Sequence, residues 1–384
     1  MNPIQRLEAC GQSPWLDFLK RSFVTSGALK GLIDSDGLKG LTSNPTIFEK
    51  AIGESDEYAG AIEAFLRDGD RDVEQLYDHL VIADIRAAAD AFMPVYERTS
   101  RRDGYVSLEC PPSLAHQAEA TVKEGMRLWQ AVARPNLMVK VPATEAGVPA
   151  IRALIGKGIN VNITLLFSVT VYEKVVEAYL EGLELLRDTG GDLSRVASVA
   201  SFFISRIDTA VDKKLDAKKD SSDRQAAERL RGRVAIANAK LAYEYYRKIF
   251  STPRWKSLAD AGAQTQRLLW ASTGAKDPSF SDTKYVEALI GRDTVDTMPP
   301  DTMDAFRDHG EVEADRVAQD VEGARAILAE LGKRGISLDD ITADLIEDGV
   351  RQFAEAFDNL FDVLTRRRQA LVEARPEARQ RRSN

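Results

Sequence analysis

Asn136-Leu-Met-Val-Lys-Val-Pro142 reads as a buried strand broken by a single ammonium, that of Lys140. A charge among apolar neighbours is costly unless it is neutralised or paired with a carboxylate. Both routes lead toward chemistry, because an amine held in an apolar pocket is the nucleophile that makes Schiff bases with carbonyl compounds. The plainer alternatives are a strand-end lysine that snorkels to solvent and a structural salt bridge.

Other apolar strands also carry polar residues on one face. In Pro14-Trp-Leu-Asp-Phe-Leu-Lys20 the alternation of a strand sends Trp15, Asp17 and Leu19 one way and Leu16 and Phe18 the other. Asp17 is thus an inward carboxylate, and Val106-Ser-Leu-Glu-Cys110 supplies a second, Glu109, on the face of Ser107. In Gly158-Ile-Asn-Val-Asn-Ile-Thr-Leu-Leu166 the polar stripe is Asn160, Asn162 and Thr164. Gly40-Leu-Thr-Ser-Asn-Pro-Thr46 brings Thr42 and Asn44 to a strand end, where Pro45 stops the ladder for want of an N–H. Taken singly these are cap, edge or interior residues. Taken together, inward polar groups near the C-terminal ends of strands separated by helices describe the mouth of a β/α barrel.

The order of elements agrees. Short apolar strands are expected at 15–19, 40–44, 105–110, 136–141, 159–165, 197–203, 266–272 and 294–298, with helices over Ala115 to Val132, Val169 to Leu186 and Arg233 to Phe250. Eight strands alternating with helices fit a (β/α)8 TIM barrel of the α/β class better than a Rossmann sheet. Neither a Gly-x-Gly-x-x-Gly nor a Walker loop is present. The stretch Asp212 to Arg231 reads as a solvated helix face or loop. Beyond the last strand, two long helices are expected as additional C-terminal elements. They span Glu311 to Lys333 and Ile341 to Glu373, the second capped by Ser337-Leu-Asp-Asp340 and carrying the stripe Ile341, Leu345, Val350, Phe353, Phe357, Leu360 and Leu364, which is expected to pack on the barrel or its mouth. The chain thus reads as a single barrel domain over about 13–310 with helices to about 374 and a frayed tail, 375–384.

Composition narrows the function. The 384 residues are 44% hydrophobic and 29% charged, with net charge -8, as in an ordinary soluble chain; a short basic tail is a poor argument for nucleic acid. Cys10 and Cys110 lack metal-ligand spacing, and His79, His116 and His309 do not cluster, which speaks against zinc and against a Ser-His-Asp hydrolase. With no apolar run behind Met1 and no membrane-length stretch, a cytoplasmic protein is expected. An acidic chain that handles phosphorylated substrates needs local positive charge. Ala200-Ser-Phe-Phe-Ile-Ser-Arg-Ile-Asp208 sends Ser201 and Phe203 inward and reaches Arg206 past the strand end, where an ion pair with Asp208 or another carboxylate is the competing reading. Trp270-Ala-Ser-Thr-Gly-Ala-Lys276 ends at Ser272 and turns toward Lys276. Loops after late barrel strands commonly bind phosphate.

With these residues assembled, the chain resembles the transaldolase family in its longer bacterial form. Leu41-Thr-Ser-Asn-Pro-Thr-Ile-Phe48 is similar to the family's Thr-Ser-Asn-Pro signature, and Asn136-Leu-Met-Val-Lys-Val-Pro-Ala-Thr144 to its Schiff-base lysine motif. Asn160-Val-Asn-Ile-Thr-Leu-Leu-Phe-Ser168 and Val199-Ala-Ser-Phe-Phe-Ile-Ser-Arg206 look like its fifth and sixth strands, and the likeness runs from about residue 3 to 365. The resemblance implies a class I aldolase-type barrel with the lysine on the fourth strand and no metal or organic cofactor. It implies that Lys140 forms the imine with a ketose phosphate, Asp17 takes a proton from the hydroxyl on the fourth carbon, and Glu109 with Thr164 handles the water of carbinolamine dehydration. Asn44, Asn162 and Ser201 would hold the three-carbon fragment, and Arg206 with Ser272 the phosphate. Shorter members carry an arginine near Ser272-Thr-Gly-Ala-Lys276, and Lys276 is expected to substitute. The implied partners are sugar phosphates, for a monomer or homodimer. The competing functions are a Schiff-base aldolase that releases free dihydroxyacetone and a catalytically silent scaffold barrel.

Overall fold

In the computed structural model, which describes residues 1–53, 55–67, 69, 71–217 and 224–374, the apolar runs form strands β1 (Gln12–Asp17), β2 (Gly40–Thr42), β3 (Tyr105–Glu109), β4 (Leu137–Pro142), β5 (Val161–Leu166), β6 (Ser198–Phe203), β7 (Arg267–Ala271) and β8 (Thr294–Met298). Each pairs in parallel with the next, and β1 pairs with β8, so the sheet closes and leaves no free edge. Helices separate the strands and cover the outer face. This is a (β/α)8 TIM barrel with additional helices after β8.

Register carries the consequence for chemistry. Glu109 pairs with Lys140 and Lys140 with Asn162, so three polar residues from β3, β4 and β5 lie side by side. On β1, Trp15 shares a face with Asp17, and its ring lies against Gly40; a Cβ at that glycine would come within 2.4 Å of the indole. At the opposite end of the barrel Arg267 donates to Ser13 Oγ and Asp103 Oδ1, both at 2.8 Å, and to the Arg102 carbonyl at 2.6 Å. The buried ion pair ties the start of β7 to the residues before β3, and the Ser13 hydrogen bond adds β1, at the end of the barrel where residues serve stability.

The strands depart from the expected ranges by up to three residues, for local reasons. β1 starts at Gln12 and stops at Asp17, so Phe18 and Leu19 lie beyond it. β2 ends at Thr42 because Asn44 caps the short helix Pro45–Phe48. Asn160 precedes β5 and works as a staple: its amide donates to the carbonyls of Pro135 and Leu137 and accepts from the Ala197 N–H, each at 2.9 Å. It therefore leaves the polar stripe to Asn162 and Thr164. The expected helix from Glu311 is shorter, Val321–Lys333, preceded by the 3-10 turn Arg316–Ala318. Asp315 and Asp320 adopt left-handed backbone there, and Asp320 caps the helix by accepting from Gly323 N at 3.1 Å. The charged stretch from Asp212 is not wholly solvated, since Asp212 and Leu215 are buried and Asp212 accepts from Gly232 N. Its middle, 218–223, and the tail 375–384 lie outside the described residues.

One buried acid sits apart from the mouth. Asp296 of β8 accepts from Thr273 Oγ1 at 2.9 Å, its other oxygen has no partner, and burial pushes its carboxyl up to about 8. A carboxyl whose folded value exceeds the unfolded value of about 4 binds its proton more tightly when folded, so stability falls as pH rises through roughly 4 to 8. Asp296→Asn should flatten that slope. Thermal midpoints at about pH 5 and about pH 8.5 test this, and equal declines in both proteins would discount Asp296 as its source.

The last helix, Leu338–Ala374, starts on Ser337, whose Oγ accepts from Asp340 N at 3.1 Å. It packs against the segment after β2, the helices Val73–Arg98 and Ser205–Ala217, and β5. Ile341, Phe353, Leu360 and Leu364 form the buried part of its apolar stripe.

Candidate active site

Of the two ways to bury an ammonium, the fold uses pairing. Lys140 Nζ donates to the Ser43 carbonyl at 3.0 Å and lies 3.3 Å from Glu109 Oε2, with both side chains almost wholly buried. The Glu109 contact is an ion pair without hydrogen-bond alignment. Burial pushes the Glu109 carboxyl above its ordinary value, and the Lys140 charge opposes that rise. A carboxyl so placed can accept a proton from the amine and return it.

Beside this pair runs a hydroxyl–amide chain across three strands. Asn162 Nδ2 donates to Ser107 Oγ at 2.9 Å, and Ser201 Oγ donates to Asn162 Oδ1 at 2.6 Å. The Asn162 amide keeps one donor and one acceptor position uncommitted. Thr164, fully buried opposite Pro142, has a hydroxyl with no hydrogen-bond partner among the described residues. Such a group needs a hydrogen bond from whatever occupies the site.

Asp17 ends β1. It accepts from Thr42 Oγ1 at 2.6 Å, and Thr42 is in turn 2.8 Å from Thr297 Oγ1 of β8. Burial pushes the Asp17 carboxyl up, while Lys140, the Thr42 hydrogen bond and Arg206 draw it down. Asn44 performs two tasks. Its Oδ1 accepts from Ile47 N at 3.0 Å as a helix cap, which leaves the amide hydrogens available to the cavity it lines.

The cationic end lies across the mouth. Arg206 occupies the first turn of the helix Ser205–Ala217, with its guanidinium 5.4 Å from the Phe203 ring centre. The expected alternative, an ion pair with Asp208, does not form: Asp208 is buried and accepts from Ala235 N at 2.8 Å and Tyr285 Oη at 2.9 Å. Ser272 follows β7 in a left-handed conformation, φ +57°, and its hydroxyl lies 3.0 Å from Ser205 Oγ. Lys276 lies exposed on the rim. Arg206, Lys276 and a third cation, Lys50, line one cavity of about 310 Å³ together with Asp17, Lys140 and Thr164. Among the described residues none of the three cations has an ion-pair partner. The cavity thus joins a buried amine and two carboxyls at its base to free positive charge at its rim, which suits a phosphorylated carbonyl compound.

A larger cleft of about 520 Å³ lies on the other side of Glu109, against the helices Val73–Arg98 and Ala118–Val132. Its one cation, Arg127, is already held by Asp78 and Glu124, and no lysine lines it. No cluster of three or more His, Cys, Asp or Glu able to hold a metal occurs among the described residues.

Comparison with known proteins agrees with this geometry. Residues 14–364 match the family described as transaldolase/fructose-6-phosphate aldolase. The chain belongs to that family. It is 46% identical over 371 residues to transaldolase 2 of Nostoc sp., covering 95% of this chain and 97% of the relative. It is 48% identical over 357 residues to transaldolase 2 of Streptomyces coelicolor, covering 93% and 95%. The transaldolase of Thermobifida fusca is 46% identical over 361 residues, covering 94% and 97%.

Of the residues singled out from sequence, Asp17, Asn44, Lys140, Thr164, Ser201, Phe203, Arg206, Ser272 and Lys276 all line the cavity. Glu109 and Asn162 stand behind that lining, one contacting Lys140 and the other Ser201. Sequence reasoning missed Thr297 and Lys50, which also line it, as does Phe353 of the C-terminal stripe. Alternation along β8 was a usable signal for Thr297, since it puts this hydroxyl on the face of Val295. The stripe that contains Phe353 was expected on the barrel or its mouth, but nothing in it singled out Phe353 from its other apolar residues.

Proposed function

We propose the following roles for these side chains in the transaldolase reaction, the transfer of a dihydroxyacetone unit from a ketose phosphate to an aldose phosphate. Lys140, having passed its proton to Glu109, attacks the ketone carbon of fructose 6-phosphate or sedoheptulose 7-phosphate. Glu109 protonates the departing hydroxyl of the carbinolamine, with Thr164 holding the water, and an iminium remains. Asp17 takes the proton of the hydroxyl on the fourth carbon. The bond between the third and fourth carbons breaks, its electron pair moves to the iminium nitrogen, and an aldose phosphate leaves. The enamine on Lys140 then attacks an acceptor such as erythrose 4-phosphate or glyceraldehyde 3-phosphate, whose oxygen recovers the proton from Asp17.

Asn44, Asn162 and Ser201 hydrogen-bond the hydroxyls of the three-carbon fragment. Arg206 and Ser272 bind the phosphate, with Lys276 in place of the arginine of shorter members, and Phe203 shapes the wall between. The observation that carries this reading is the buried pairing of Lys140 with Glu109 at 3.3 Å inside a cavity rimmed by unpaired cations. Imine chemistry supplies its own electron sink, so the reading calls for no cofactor. No helix among the described residues is long and apolar enough to cross a membrane. We place the protein in the cytoplasm as a monomer or homodimer.

Borohydride trapping with fructose 6-phosphate, followed by peptide mass mapping, tests the assignment. The expected result is a three-carbon adduct on Lys140 that disappears when erythrose 4-phosphate is added. An adduct that is instead lost as free dihydroxyacetone without acceptor would favour an aldolase. No adduct on folded protein would reduce Lys140 to a structural lysine.

A further inference from the structure

We propose that Phe353, carried by the C-terminal helix, is a specificity-determining residue that keeps the three-carbon enamine on Lys140 from meeting water, so that it is transferred and not released. The inference rests on the enamine reading above and extends it to a part of the chain outside the barrel strands.

Phe353 is only 5% exposed, yet it lines the cavity that holds Asp17, Lys140 and Phe203. The barrel strands and their loops supply the floor and walls of that cavity, and Phe353 is its sole lining residue from the helix Leu338–Ala374. Its position is built in. At Leu165 the backbone turns left-handed, φ +55°, where the register between β5 and β6 shifts. The Leu165 side chain meets the C-terminal helix at Gly349, where a Cβ would come within 2.6 Å of Leu165 Cδ2. Phe353 lies four residues, about one turn, further along the same helical face. Close approach at Gly349 therefore lowers the phenyl ring onto the mouth.

The rest of the helix is held by the segment that follows β2. Asn359 Nδ2 donates to Glu49 Oε1 at 3.0 Å, and Arg367 donates to the Ser55 and Gly53 carbonyls at 3.0 and 3.3 Å. Arg368 donates to the Arg71 carbonyl at 2.6 Å. The same segment begins with Asn44 and carries Lys50, so the roof and one wall of the site are tied into one unit. A roof fixed at this many points holds the phenyl ring in place over the base of the site.

The chemistry shows why this matters. Release of free dihydroxyacetone needs a proton on the nucleophilic carbon of the enamine, then addition of one water to the resulting iminium, then cleavage of the carbon–nitrogen bond to regenerate the lysine. Transfer replaces only the first of these: the same carbon forms a bond to the acceptor aldehyde in place of a proton, and the product iminium then takes up one water and loses its carbon–nitrogen bond in the same way. Apolar cover over the enamine therefore slows the protonation that commits it to release, whereas carbon–carbon bond formation with the acceptor takes no proton from water at that carbon.

The test compares Phe353→Ala and Phe353→Leu with the parent protein. Free dihydroxyacetone is measured from fructose 6-phosphate alone, and transfer is measured with erythrose 4-phosphate present. The ratio of release to transfer should rise about tenfold or more in the alanine variant and stay within about threefold of the parent in the leucine variant, which keeps most of the apolar cover. An unchanged ratio in folded Phe353→Ala would make Phe353 a packing residue and overturn the proposal. Should the alanine variant fail to fold, Phe353→Ser and Phe353→Met replace it, with the same ratio as the readout. Failure of the underlying reading looks different, because the parent protein would then give no borohydride adduct on Lys140.

Discussion

Lys140→Ala should yield a folded barrel with no borohydride-trappable adduct and a kcat lower by at least about four decades, or ~5 kcal/mol of activation free energy. The size follows from the role. Without the buried amine beside Glu109 and Asp17 there is no iminium in place for the cleavage, and the cavity's other two lysines, Lys50 and Lys276, are exposed cations at its rim. Folding should survive at a cost. The Ser43 carbonyl loses its donor, worth about 1 kcal/mol, and Glu109 loses the cation 3.3 Å away. Leaving a buried charge unpaired would cost about 3–5 kcal/mol, but Glu109 is already pushed toward its neutral form by burial and escapes most of that by taking a proton. Circular dichroism and thermal melting check the fold, and mass mapping checks the adduct. A folded variant that still turns over would remove Lys140 from its role.

Asp17→Asn should separate the steps. Imine formation depends on Lys140 and Glu109, so trapping with fructose 6-phosphate should persist, while cleavage slows by about two to four decades, the usual worth of a positioned general base. Asparagine preserves shape and can still accept from Thr42, so stability should change little. The pH profile gives a second readout. A base works only when ionised, and burial raises the Asp17 carboxyl above the ordinary aspartate range, so kcat should fall on acidification at a pH higher than a free carboxylate would give. That acid limb should vanish in the asparagine variant. Cleavage at the parent rate, or an unchanged acid limb, would assign the proton transfer elsewhere.

Much of this site was legible because strands impose a period of two. Asp17, Glu109, Asn162 and Thr164 each alternate with apolar neighbours, so their side of the barrel could be read from a few adjacent residues. Asn160 shows where that reading overreaches. It has the same parity as Asn162, yet it lies before β5 and saturates its amide on the backbone around the barrel's lower end. Parity assigns a face and says nothing of depth, and only strands near their C-terminal ends reach the mouth. Arg206 shows a different limit. Its nearest acid in sequence, Asp208, belongs to the opposite face of the same helix and is occupied by Ala235 and Tyr285.

The length, the alternating apolar runs, the polar stripes and the four motifs were enough to name a barrel and the family, and to single out Lys140 with the carboxyls of Asp17 and Glu109. These are local or periodic properties, written within a strand or a loop. How Lys140 is neutralised was not among them. Burial called for either a neutral amine or a partner, and the β3–β4 register, which no single strand contains, put Glu109 alongside. The roof was legible only as a helical stripe expected on the barrel or its mouth, without the residue that reaches the cavity. Phe353 meets the cavity because a left-handed Leu165 and a glycine far away in sequence touch, and contacts between distant segments depend on three-dimensional packing that no local pattern encodes.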